Sequence, residues 1–237
     1  TMLDPDTALF PGNKKHREAS CRTASKRHCR VWSGPVIVAL LALPTSCGVR
    51  AEGATRGQAL YATCVPCHGS EGAGNQAFQA PAIAGLAEWY VQSQLEKFRT
   101  GLRGAHHKDL EGLRMRPMSR TLNSEDDVKA VASYVASLSP VRLEPTFEGD
   151  IEKGKVAYTP CVTCHGADGK GIQEQKAPSL QITDDWYLLE QLKKFKAGHR
   201  GAVAADVTGQ QMRPTAIALP DEQAMMDVIA YIKSQSE

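Results

Sequence analysis

The chain has 237 residues, 42% hydrophobic and 6% aromatic, with 28 basic and 26 acidic side chains for a formal charge of +2. That length admits one large domain or two small ones, and so few aromatic residues are thin material for cores built from side chains alone. The positive charge belongs to the start, because residues 1–51 hold 8 basic and 3 acidic side chains and the remainder carries −3, which excludes a basic nucleic-acid-binding surface.

The first 51 residues read as an export leader. Lys14, Lys15, Arg17, Arg22, Lys26, Arg27 and Arg30 precede an apolar stretch from Val31 to Leu43, and Val49-Arg50-Ala51 resembles a small-x-small cleavage site. Export to the periplasm and removal of residues 1–51 are expected. The apolar stretch is interrupted by Gly34 and Pro35 and falls well short of the roughly 20 residues of a spanning helix, so a retained membrane anchor is the weaker reading. Lipid attachment at Cys47 is weaker too: in LPTSC the leucine stands four residues before the cysteine, not three.

From Gly57 onward the chain repeats itself. An offset of 97 carries Gly57 to Gly154, Tyr61 to Tyr158, Cys64 to Cys161, His68 to His165, Pro81 to Pro178, Trp89 to Trp186, Phe98 to Phe195, Arg103 to Arg200, Leu122 to Leu219 and Tyr134 to Tyr231, without a gap. The expected organisation is a first domain over 52–139, a linker over 140–150 marked by Pro140 and Pro145, and a second domain over 151–237. Each unit reads as all-α. Short lead-ins at Gly57–Thr63 and Gly154–Pro160 are followed by glycine-rich loops, by helices over Trp89–Phe98 and Trp186–Phe195, and by closing helices over Ser124–Leu138 and Asp221–Ser234. Asn123 with Asp126, and Asp221, are the expected start signals of the closing helices.

The chemistry lies in CVPCH, Cys64–His68, and CVTCH, Cys161–His165. Both are Cys-x-x-Cys-His, the attachment pattern of haem c. Cys64 and Cys67, and Cys161 and Cys164, reach the two vinyl groups of one porphyrin each, and His68 or His165 then faces the iron. A zinc site is disfavoured because the pairs occupy equivalent places in two repeats, unlike a compact zinc module. A thioredoxin-like pair lacks its βαβ setting. Two covalently bound haems also account for the aromatic shortage, since a unit of about 80 residues is marginal on its own core.

For the sixth ligand, Met115 corresponds to Met212, and both open Met-Arg-Pro, whereas Met118 corresponds to Thr215. If both units ligate iron alike, Met115 and Met212 are the ligands and Met118 is a packing residue. Histidine is the competing ligand: His106 and His107 correspond to Val203 and Ala204, and His199 to Leu102, so none recurs. A His/His iron in the first unit is the remaining alternative.

These motifs, with Phe-x-x-Gly-x-Arg at Phe98–Arg103 and Phe195–Arg200, resemble the dihaem cytochromes c4 over nearly all of residues 52–237. The resemblance implies two class I cytochrome c domains related by a pseudo-twofold axis. It implies first and last helices crossing at Gly57 and Gly154, with Tyr134 and Tyr231 as packing partners. It implies that the carbonyls of Pro81 and Pro178 accept the Nδ1 protons of the ligand histidines, a plain loop proline being the alternative. Arg103, Arg200, Trp89 and Trp186 become candidate donors to haem propionates, against solvated arginines and core tryptophans.

The expected function is electron transfer in a respiratory chain, from a quinol-oxidising complex or dehydrogenase to a terminal oxidase. Those redox proteins are the expected partners, with peripheral membrane association and no nucleic acid. The alternatives are the cytochrome subunit of a flavocytochrome c sulfide dehydrogenase and a dihaem enzyme with an exchangeable axial site.

Overall fold

The computed structural model describes residues 48–141 and 143–235. The expected leader lies outside the described residues up to its last four positions, Gly48–Ala51, which fall in the first helix; Cys21, Cys29 and Cys47 lie outside them as well. No helix among the described residues is long and apolar enough to cross a membrane.

The first half comprises α1 (Gly48–Tyr61), α2 (Val65–His68), α3 (Glu88–Thr100), α4 (Leu110–Ser119) and α5 (Glu125–Ser137). The second repeats them as α6 (Ile151–Ala157), α7 (Val162–His165), α8 (Asp185–Ala197), α9 (Val207–Ala218) and α10 (Glu222–Ser234). No strand occurs among the described residues beyond two isolated bridges, Asn75 with Ala80 and Ile172 with Ala177, which pinch matching loops.

In each half the first helix crosses the last. A Cβ at Gly57 would strike the Ala130 carbonyl, and one at Gly154 the Asp227 carbonyl, so glycine is what lets the backbones touch. Beside each crossing two tyrosines pack, Tyr61 on Tyr134 at 5.2 Å and Tyr158 on Tyr231 at 5.4 Å between ring centroids. Around them sit small cores: Tyr61, Leu95, Val128, Val131 and Val135 in the first half, Tyr158, Leu189, Val228, Ile229 and Ile232 in the second.

Helix boundaries follow local chemistry. Asp221 caps α10 through the Ala224 N–H, as expected, but the cap of α5 is Ser124, which accepts from the Asp127 N–H, and not Asn123. Gly101 and Gly198 end α3 and α8 with φ of 81° and 76°, a conformation that favours glycine. The sequence analysis assigns no element to the Met-Arg-Pro segments, and the structure makes them helices, α4 and α9, with Pro117 and Pro214 in their interiors. Both prolines fall in the second half of a short helix, where the missing N–H costs a single hydrogen bond.

Candidate functional site

The four-residue helices α2 and α7 carry the Cys-x-x-Cys-His motifs, and the fold buries the histidine of each while leaving the second cysteine exposed. Tight turns hold them. Tyr61 Oη donates to the Gly69 carbonyl and Tyr158 Oη to the Gly166 carbonyl, both at 2.9 Å, which ties each motif to the helix crossing. His68 Nδ1 lies 2.9 Å from the Pro81 carbonyl and His165 Nδ1 3.0 Å from the Pro178 carbonyl. A carbonyl can only accept, so Nδ1 carries the proton and Nε2 is left with its lone pair.

The electrostatics agree with that tautomer. Burial lowers the pKa of both His68 and His165, so each ring is neutral at neutral pH, as a metal ligand must be. Burial, with the neighbouring thiol, pushes Cys64 and Cys161 up to about 11. These are not the low-pKa thiols of a redox-active pair. All four motif cysteines are free of disulfides.

In the second half the motif opens into a cavity of about 560 Å³ lined by Cys161, Cys164, His165, Pro178 and Met212. The volume lies inside the range of roughly 300–1,000 Å³ common to cofactor pockets. Leu188, Phe195, Ile229 and Ile232 supply an apolar wall. Two thiols, a neutral imidazole, a thioether sulfur and an apolar wall in one cavity suit a covalently attached haem. In the first half Met115 is partly buried against the core that also receives Cys64 and Val65. Met118 is 38% exposed on α4, while Met225 is buried in the second core.

Of the remaining expected site residues, Arg103, Arg200 and Trp89 reach the seam between the halves. Arg103 is buried and donates to Gln94 at 2.9 Å, to Tyr187 Oη at 2.5 Å and to Gln191 at 3.0 Å. Arg200 donates to Gln191 at 2.7 Å and to Gln94 at 3.1 Å. Each guanidinium also lies 4.5 Å over the phenylalanine ring of its own half, Phe98 or Phe195. The two arginines therefore share two glutamines across the pseudo-twofold. Trp89 lines the second half's cavity from across the seam, as do Tyr90 and Gln94, and Arg200 lines it too. Trp186 packs edge-on against Tyr187. His106 stacks on His107 at 4.6 Å and on His199 at 4.5 Å. No cluster of three or more histidine, cysteine, aspartate or glutamate side chains placed to hold a metal ion occurs among the described residues.

Sequence reasoning missed the seam. Gln94, Lys97, Tyr90 and Asp109 recur at the same offset as Gln191, Lys194, Tyr187 and Asp206, and that recurrence at polar positions was the available signal.

Residues 54–139 and 151–236 each match the cytochrome c family. The chain is 36% identical over 147 residues to the cbb3-type cytochrome c oxidase subunit FixP of Bradyrhizobium diazoefficiens, covering 57% of this chain and 49% of FixP. The chain thus spans about half the length of that relative. It is 32% identical over 176 residues to the thiosulfate dehydrogenase electron acceptor of Thiomonas intermedia, covering 68% of this chain and 74% of that protein. The structure of reduced cytochrome c4 from Pseudomonas stutzeri superposes with a TM-score of 0.60 at 25% identity, over 76% of this chain and 97% of that one.

Proposed function

The chain belongs to the cytochrome c family as a two-haem protein of the cytochrome c4 type, and we propose that it is an exported, periplasmic electron carrier that takes electrons from a dehydrogenase or quinol-oxidising complex and delivers them to a terminal oxidase. The observation that carries this reading is the meeting of His165 and Met212 in one cavity, with His68 and Met115 at the equivalent places of the other half.

Bound haem c supplies a one-electron couple at each iron, and the chain's own residues decide how that couple is used. Cys64, Cys67, Cys161 and Cys164 would hold the two groups by thioether bonds. The Pro81 and Pro178 carbonyls keep the proton on Nδ1, fix the imidazole planes and raise the basicity of Nε2. Met115 and Met212 would close the sixth positions, favouring the reduced state and leaving no place for a substrate. The apolar wall of Leu188, Phe195, Ile229 and Ile232 would keep water from the group bound in the second half.

The resemblance to an oxidase subunit and to a dehydrogenase's electron acceptor supports a chain placed between two such enzymes, each in contact with it in turn. The test is rapid mixing of the reduced holoprotein with bacterial membranes containing a cbb3-type oxidase. Fast reoxidation of both haems that stops with cyanide is the expected result. Reoxidation no faster than in membranes lacking the oxidase, together with turnover of thiosulfate or peroxide by the chain alone, would replace the carrier by an enzyme. A flavoprotein that co-purifies in fixed ratio would instead make the chain a subunit of a dehydrogenase complex.

A further inference from the structure

A pair of crossed contacts spans the seam between the halves. Lys97 on α3 of the first half donates to Asp206 and to Thr208 Oγ1 of the second, both at 2.5 Å. Lys194, its counterpart on α8 of the second half, donates to Asp109 at 2.6 Å and to Glu111 at 2.5 Å in the first. Asp109 and Asp206 are each only 2% exposed.

Those two carboxylates are not merely interface residues. Asp109 is the N-cap of α4, accepting from the Gly112 N–H at 3.2 Å, and Asp206 is the N-cap of α9, accepting from the Gly209 N–H at 3.1 Å. α4 carries Met115 and α9 carries Met212, each six residues beyond its cap, or roughly 9 Å along the axis. Further on, Pro117 and Pro214 remove the N–H that would have bonded Leu113 and Gln210, so the capped end is the firmly held end of each helix. Space is tight there as well: Gly104 abuts Gly112 and Gly201 abuts Gly209, and a Cβ on any of the four would collide with its neighbour's backbone or with the capping aspartate. Lys97, Asp206, Thr208 and Met212 line one cavity together.

We propose that Lys97 and Lys194 are crossed positioning residues: each half holds, through one lysine of its own, the capping carboxylate of the helix that presents the other half's methionine to iron. The proposal rests on Met115 and Met212 being the sixth ligands. Its consequence is that neither iron site is closed by its own half alone. The first haem's ligation depends on a lysine of the second domain, and the second haem's on a lysine of the first. Loosening of the seam, as when a partner docks, would then loosen both methionines together.

A lysine that only glued the halves together would weaken both sites equally or neither, so the test is a crossed one on the holoprotein. In a Met212→Ala background the second iron is open from the start, and the first is the one closed iron left to read. Adding Lys194→Met there should raise the carbon monoxide affinity of the first iron by about tenfold or more, since a buried carboxylate that has lost its cation no longer holds its helix end. The far-red band of methionine-ligated ferric haem should fade in parallel. Lys97→Met should leave that iron unchanged. In a Met115→Ala background the roles should exchange, and Lys→Arg at either position should restore closure.

Glu111→Gln and Thr208→Ala weaken the same contacts without stranding a buried carboxylate, and should shift the same irons in the same direction by less. They serve as the readout if a Lys→Met chain fails to load two haems. Lysine variants that open their own half's iron, open both equally, or open neither while helicity is retained would overturn the proposal. If Met115→Ala or Met212→Ala alone opens no iron, the ligand assignment itself has failed, whatever the lysines do.

Discussion

A single backbone carbonyl fixes the state of each buried histidine, and recurrence in the second half distinguishes Met115 from Met118. Replacing Met115 or Met212 by alanine should lower the potential of one haem and let that iron bind carbon monoxide, while Met118→Ala should do neither, as a redox titration of the three variants will show. Met118 is 38% exposed and has no counterpart in the second half, where Thr215 stands in its place. Tyr61→Phe should cost about 1 kcal/mol in chemical denaturation, the net worth of one hydrogen bond, because it leaves the Gly69 carbonyl without its donor. At this scale the sequence was informative wherever chemistry demands a fixed spacing. Cys-x-x-Cys-His announces its cofactor, and the offset of 97 separates the recurring methionine from the one that does not recur. Arg103 was harder to read. The structure spends its donors on Gln94, Tyr187 and Gln191, and no one-dimensional pattern says which neighbours a buried guanidinium will find.

At the scale of elements, the crossings of α1 with α5 and of α6 with α10 set the shape of each half. Gly154→Ala should destabilise the protein by about 1–3 kcal/mol as overpacking, although alanine is the better helix former by about 1 kcal/mol, because its Cβ has nowhere to go but into the Asp227 carbonyl. A denaturation curve of the variant decides between the two effects. Asp221→Ala should cost about 1 kcal/mol by removing the cap of α10. The closing helices were legible because their apolar residues recur with a helical period and, for α10, because Asp221 opens it; the cap of α5 is Ser124, one residue beyond the expected Asn123. α4 and α9 were not, since a proline inside each, Pro117 or Pro214, weakens the helical signal. What keeps them helical lies outside the segment: a buried aspartate cap and, for each, a lysine from the opposite half.

At the scale of the molecule, the two halves are held by ion pairs of Lys97 with Asp206 and of Lys194 with Asp109 and Glu111. Burial works to raise the pKa of Glu111, but the hydrogen bond from Lys194 outweighs it and holds the carboxyl below the ordinary value. A depressed carboxylate contributes stability that is present above its unfolded pKa, about 4.3, and is lost as pH falls through the folded value. The seam should therefore loosen as pH falls through that value, and Glu111→Gln should remove part of that acid dependence in a pH series of melting curves. The cores around each site are small, so haem-free protein should show reduced helicity and no cooperative melt by circular dichroism.

The claim on which the rest depends is that both irons are closed by histidine and methionine. It is tested most directly by the visible spectrum of the purified holoprotein, ferrous with and without carbon monoxide, with its haem content measured on the same sample. The account predicts two haems per chain and a ferrous spectrum that carbon monoxide leaves unchanged. Rapid formation of a carbon monoxide complex at either haem of the unaltered protein would contradict it.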